Sequence, residues 1–135
     1  MAGWDIGSHT ATHPDLTILS NEQITDELVF SKAEIAKQLN REVNCLAYPF
    51  SRYNLRVIKF AQKAGYQAGF VLSNRKLKIH RDSDLAYAIP RYGVYRIDTK
   101  KSFQNKLTLS KVEGAKQRVI SFFSIGTIWH NRLKI

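Results

Sequence analysis

Short apolar runs alternate with amphipathic stretches along most of this chain, and proline or glycine punctuates the changes. That alternation is the pattern of an α/β domain, in which buried strands are separated by helices. Ser20-Asn21-Glu22-Gln23 reads as a capping box that opens a helix running to about Asn40, with Ile24, Leu28, Ile35 and Leu39 at helical spacing. Residues 43–48 read as a short buried strand closed by Pro49, which has no N–H to give to a sheet. Asn54 is placed to cap a second helix, whose Leu55, Ile58, Phe60, Ala61 and Ala64 face a core before Gly65 stops it. Residues 67–72 and 85–89 are expected as further strands, the latter ended by Pro90, with a polar, basic surface loop over 73–84 between them. Asp98 or Thr99 caps a third helix to about Leu109.

A length of 135 residues excludes two full-sized domains. The single cysteine, Cys45, excludes an internal disulfide and a thiolate metal cluster. No apolar run approaches the roughly 18 residues of a membrane span, and Met1-Ala2-Gly3-Trp4-Asp5 has neither the basic nor the apolar region of a secretion signal.

The net charge of +10 is unevenly placed: residues 1–67 are balanced, and the whole excess falls on 68–135. Arg75, Lys76, Lys78, Arg81, Lys100 and Lys101 are suited to phosphates or an anionic surface. No helix-turn-helix, RNP-like or zinc-finger pattern accompanies them, so a solvated basic face is expected and nucleic acid is not. The segment 119–129 is apolar and flanked by Lys116, Arg118, Arg132 and Lys134; burial in a core or interface is its expected fate.

Chemistry concentrates near the N-terminus, in Gly7-Ser8-His9-Thr10-Ala11-Thr12-His13-Pro14. Two histidines four residues apart are a metal-binding spacing, but Pro14 keeps His13 out of helical dihedrals. Both imidazoles are therefore placed by a loop leaving a strand around residues 4–6, a common site position in α/β folds. Small neighbours leave room around the rings. Ala47-Tyr48-Pro49-Phe50-Ser51-Arg52-Tyr53-Asn54 puts a rigid turn directly after a buried strand.

Taken together with Ala64-Gly65-Tyr66-Gln67-Ala68-Gly69-Phe70 and Ala88-Ile89-Pro90-Arg91, in this order, these patches resemble the polysaccharide deacetylase family, the NodB homology domain. The resemblance covers about residues 1–109, leaving 110–135 as a basic, apolar extension. It implies an incomplete (β/α) barrel lacking the first strands, and metal-dependent hydrolysis of acetyl groups, chiefly N-deacetylation, on a carbohydrate polymer. His9 and His13 match the family's metal-binding histidines, for zinc or another divalent ion. The Phe50 N–H matches its oxyanion donor and Arg91 its site-lining arginine; Tyr48, Tyr53 and Asn54 are expected to bind substrate.

The departures are specific. The family's Asp-Asp pair, which supplies the base and a third ligand, lies upstream of its histidine patch, and neither Asp5 nor Asp15 occupies that position. Ser51 replaces a glycine common in the turn, and the late Leu-x-His has no clear match, with His80 in the basic loop and His130 near the end. Three readings follow: part of a deacetylase impaired as this isolated chain; a non-catalytic deacetylase-like module that binds saccharide or a partner chain; or a basic module for an anionic polymer. Loss of the first strands exposes a sheet edge, so a homodimer formed through that edge or through 119–129 is expected.

Overall fold

The computed structural model describes residues 5–72 and 85–107, which fall into two compact units: 5–71 with 85–89, and 72 with 90–107. The expected loop over 73–84, the segment 119–129, His80 and His130 lie outside the described residues.

In the first unit, α1 (Asn21–Leu39) begins as its sequence dictates. The Ser20 hydroxyl accepts from the Gln23 N–H while the Gln23 side chain accepts from the Ser20 N–H, and Asn40 ends the helix in a left-handed conformation. Ile24 and Leu28 are fully buried and Ile35 is partly so, but Leu39 is exposed, because the last turn runs past the core. β1 (Cys45–Ala47) follows, then a tight turn (Pro49–Ser51) and α2 (Leu55–Lys63), capped by the Asn54 side chain accepting from the Val57 N–H. β2 (Ala68–Leu72) pairs with β1 in parallel, Leu46 opposite Gly69, and α2 is the crossover that a parallel pair requires. Gly65 makes the exit from α2 with φ of 79°, where a side chain would be strained.

Val57, Ile58 and Ala61 form the buried stripe of α2, whereas Leu55, expected in the core, is exposed in its first turn. That stripe packs with Leu16, Ile24, Leu28, Leu46, Tyr48 and Tyr66 into one cluster. Each fully buried aliphatic side chain is worth roughly 1.5–3 kcal/mol, so this cluster, rather than the exposed Arg41–Asp5 pair at 4.0 Å, holds the unit together.

Two strand expectations are corrected. The strand expected over 85–89 is β3 (Ile89–Arg91), and residues 85–88 form a turn in which the Ala88 N–H donates to Leu85 O. Tyr87 explains the apolar run: its hydroxyl donates to Tyr66 O, and its chain neighbour Ala86 accepts from the Gly69 N–H. The sheet order is β1-β2-β3, with Pro90 inside β3, an end strand of the sheet where a missing N–H is tolerated. Upstream, of the strand expected around 4–6, residues 5 and 6 are not strand and residue 4 lies outside the described residues; the pairing found is one parallel bridge, Ser8 opposite Leu46.

In the second unit, α3 (Lys100–Leu107) is capped by Thr99, whose hydroxyl accepts from the Ser102 N–H. A buried Lys106–Asp98 ion pair ties this helix to the preceding loop, with Lys106 also donating to Gly93 O and Asp98 accepting from the Tyr95 N–H and the Ser102 hydroxyl. Among the described residues no helix is long and apolar enough to cross a membrane.

A Cβ on Gly69 would stand 2.5 Å from the Tyr48 hydroxyl and 2.7 Å from Tyr87 O. Gly69→Ala is therefore expected to cost about 1–3 kcal/mol by overpacking, read as a lower denaturation midpoint; an unchanged midpoint would contradict this packing.

Candidate metal centre

The site is built at the carboxyl end of β1. Ser8 locks onto that strand through two backbone bonds, its N–H to Cys45 O and the Ala47 N–H to its own carbonyl, both 2.8 Å. The chain then leaves the sheet, and His9 turns its ring back so that Nδ1 lies 2.5 Å from Ala47 O. A carbonyl only accepts, so Nδ1 carries the proton and Nε2 presents its lone pair. That lone pair meets His13, with the two Nε2 atoms 3.1 Å apart, so the His13 Nε2–H donates to His9. The rings cross edge to face at 4.7 Å, and the His13 ring also packs edge to face with Phe50 at 4.6 Å. Three residues singled out in two separate sequence patches thus converge.

The backbone at this place is strained. Thr10, His13, Phe50 and Ser51 all hold positive φ, between 52° and 68°, without being glycine. Such residues persist only where surrounding contacts over-determine them. The contacts are present: the His13 N–H donates to the Thr10 hydroxyl at 3.1 Å, and the Thr10 N–H to the Ser8 hydroxyl at 3.1 Å. Glu27 of α1 accepts from the Ala11 and Thr12 N–H groups at 2.8 and 2.9 Å and from the Thr12 hydroxyl at 2.5 Å. One turn on, Ser31 meets the Ser8 hydroxyl at 2.8 Å. Sequence reasoning missed Glu27 and Ser31; the available signal was a polar Ser31 between core-facing Leu28 and Ile35 of an amphipathic helix.

Asp15 closes the loop. Buried, it accepts from the Thr17 N–H and hydroxyl and from the Arg52 guanidinium at 2.7 Å, joining the histidine loop to the residue after the Pro49 turn. The turn leaves the Phe50 N–H with no hydrogen bond among the described residues, as an oxyanion donor requires. Tyr48 and Tyr53, expected against substrate, are instead buried and stacked on each other at 5.2 Å, and the Asn54 side chain is occupied as the cap of α2. Arg91, in the second unit, is half-buried at the end of β3 with its Nε unpartnered among the described residues.

The histidine pair suits a metal. Zinc–nitrogen bonds of about 2.0–2.1 Å opened to a tetrahedral angle place two nitrogens roughly 3.4 Å apart, close to the separation found here. The Nδ1–H bond to a carbonyl is the outer-sphere support that such ligands normally carry. Among the described residues no third histidine, cysteine or carboxylate joins the pair.

A family model of polysaccharide deacetylases matches residues 1–69, half of the chain, and the chain belongs to that family. It is 36% identical over 67 residues to YxkH of Bacillus subtilis, assigned as a polysaccharide deacetylase, and 38% identical over 72 residues to the peptidoglycan-N-acetylmuramic acid deacetylase PdaA of the same organism. Each match takes in 50% of this chain but only 24% and 26% of those proteins, so the chain spans about a quarter of their length. Among solved structures, it is similar to the Streptococcus pyogenes deacetylase PplD in complex with acetate, with a TM-score of 0.59 and 26% identity over 74% of this chain and 43% of that one. The fold is also that of BC0361, a polysaccharide deacetylase from Bacillus cereus, at a TM-score of 0.61 and 24% identity over 76% and 32% of the two chains. These likenesses identify the mixed α/β architecture as part of a deacetylase barrel.

Arg52→Ala strips the buried Asp15 carboxylate of its charged partner, and removing one partner of a buried polar pair costs about 1–3 kcal/mol. The expected result is a lowered unfolding midpoint for Arg52→Ala that is largely restored when Asp15→Asn is added; an additive double variant would show that the pair does not couple.

Proposed function

We propose that this chain contributes the two-histidine half of a divalent metal site, with zinc the best fit, in a hydrolase that removes acetyl groups from the nitrogen of a carbohydrate polymer. Membership of the polysaccharide deacetylase family supports carbohydrate deacetylation. The observation that carries the finer reading is the convergence of His9 and His13 through their Nε2 atoms, with His9 fixed in the tautomer that offers its lone pair. A metal bound there supplies a Lewis acid that polarises the acetyl carbonyl and lowers the pKa of bound water.

The chain's own residues do the rest of what is described. His9 and His13 would hold two coordination positions through Nε2, His13 with its proton moved to Nδ1. Phe50 directs its N–H from the strained turn toward the oxygen that gains charge as the acetyl carbon is attacked, and its ring backs His13. Arg91 keeps the substrate-lining role implied by the family resemblance. Tyr48 and Tyr53 act from beneath, as the packing under the turn, and Asn54 as the anchor of the helix that follows it. Asp15 and Glu27 are committed to Arg52 and to loop N–H groups, so the third ligand and the general base are carboxylates other than these two.

Zinc titration by calorimetry on wild type, His9→Ala and His13→Ala tests the metal site, alongside acetate release from an N-acetylated oligosaccharide. Saturable binding is expected in wild type and at least tenfold weaker binding in each variant. Equal heats in all three proteins would overturn the metal site, and acetate release by the chain would show that the base and third ligand are supplied within it or its oligomer.

A further inference from the structure

We infer that Glu27 is the positioning residue of the histidine pair, setting the His9–His13 separation from α1 without touching either ring. The inference rests on the metal reading of that pair. His9 and His13 are joined by Thr10, Ala11 and Thr12, which belong to no helix or strand, and both Thr10 and His13 hold positive φ. A segment so built would relax if left to itself, and the two Nε2 atoms would part.

Ala11 and Thr12, the middle of the segment, send three donors to one carboxylate. Glu27 Oε2 takes both backbone N–H groups and Oε1 takes the Thr12 hydroxyl. Bonds to an ionised acceptor are shorter and stronger than neutral ones, and a carboxylate that fills both oxygens fixes orientation as well as distance. The carboxylate stands on a 19-residue capped helix whose Ile24 and Leu28 are fully buried, so it is a rigid reference. The start of the loop is tied to the same helical turn: the Ser31 hydroxyl donates to Glu27 O and shares a hydrogen with the Ser8 hydroxyl, which accepts from Thr10. Residues four apart on a helix face the same way, so one turn of α1 holds the segment at its root and at its middle.

Glu27→Gln keeps a carbonyl oxygen for the two N–H groups and turns its amide toward the Thr12 hydroxyl, which can reverse its role and accept. Glu27→Ala removes every acceptor while favouring the helix. Two readouts apply. In the metal-free protein, the nuclear Overhauser effect between the two imidazole rings and the slow exchange of the Ala11 and Thr12 amides report the loop directly. In the zinc titration, loss of an outer support costs roughly tenfold to hundredfold in affinity. Glu27→Ala is expected to lose the ring contact and the amide protection and to weaken zinc by at least tenfold, with Glu27→Gln within a few-fold of wild type. Thr12→Val, which leaves α1 intact, moves the same readouts in the same direction by less. Retention of the ring contact and amide protection in Glu27→Ala overturns the inference. Failure of wild type to bind zinc overturns the metal reading instead, while the metal-free readouts still decide the role of Glu27.

Discussion

A three-residue strand carries the site. β1 is hydrogen-bonded on one side to β2 and on the other to Ser8, and its buried residue, Leu46, lies in the core beneath both. The histidine loop departs from Ser8, and the Pro49 turn departs from the end of β1 itself. Because the two departures are neighbours in one parallel ladder, loops nearly 40 residues apart in sequence arrive at the same end of the sheet. Parallel strands always gather their following loops at one end, and α/β proteins place their chemistry there. Without this ladder, His9 and Phe50 would be unrelated loop residues.

Much of this was legible in the residues. The capping box at Ser20, the Asn54 cap, the Gly65 stop and the Thr99 cap state local chemistry that tertiary structure has no reason to override, and each stands where its side chain directs. His9, His13 and Phe50 were visible because two short patches of unusual composition each carry one end of the arrangement. Less legible were features whose cause is remote. Nothing local makes Leu85-Ala86-Tyr87-Ala88 a turn; contacts of Ala86 and Tyr87 with residues 66 and 69 do. Tyr48 and Tyr53 looked like sugar-binding aromatics because burial cannot be read from an isolated turn. Glu27 resembled any solvent-facing acid of an amphipathic helix, since its partners are backbone N–H groups that leave no trace in a residue pattern.

The strained residues give these patches their character. Four residues with positive φ fall in two groups of loop residues, and each group is held by side chains from elsewhere in the unit: Glu27 and Ser31 for the histidine loop, and Asp15 through Arg52 beside the Pro49 turn. A glycine at position 51 would relieve its own strain, but it would also loosen the turn that aims the Phe50 N–H. The chain gives up local stability at these positions and gains a fixed geometry for the two imidazoles and the Phe50 amide.

The bond from His9 Nδ1 to Ala47 O has a consequence for how proton position and folding are linked. Carbonyls along a strand alternate in direction: those of Cys45 and Ala47 face the Ser8 side, while that of Asn44 faces β2 and accepts from the Gln67 and Ala68 N–H groups. A slip of β1 by one residue would turn a different group toward the imidazole and leave Nδ1–H without its acceptor. His9 would then have no reason to keep its proton on Nδ1, and the lone pair would no longer be assured at Nε2. The tautomer of one exposed histidine is thus a record of strand register, and an error in the pairing of β1 would surface as a proton on the wrong nitrogen.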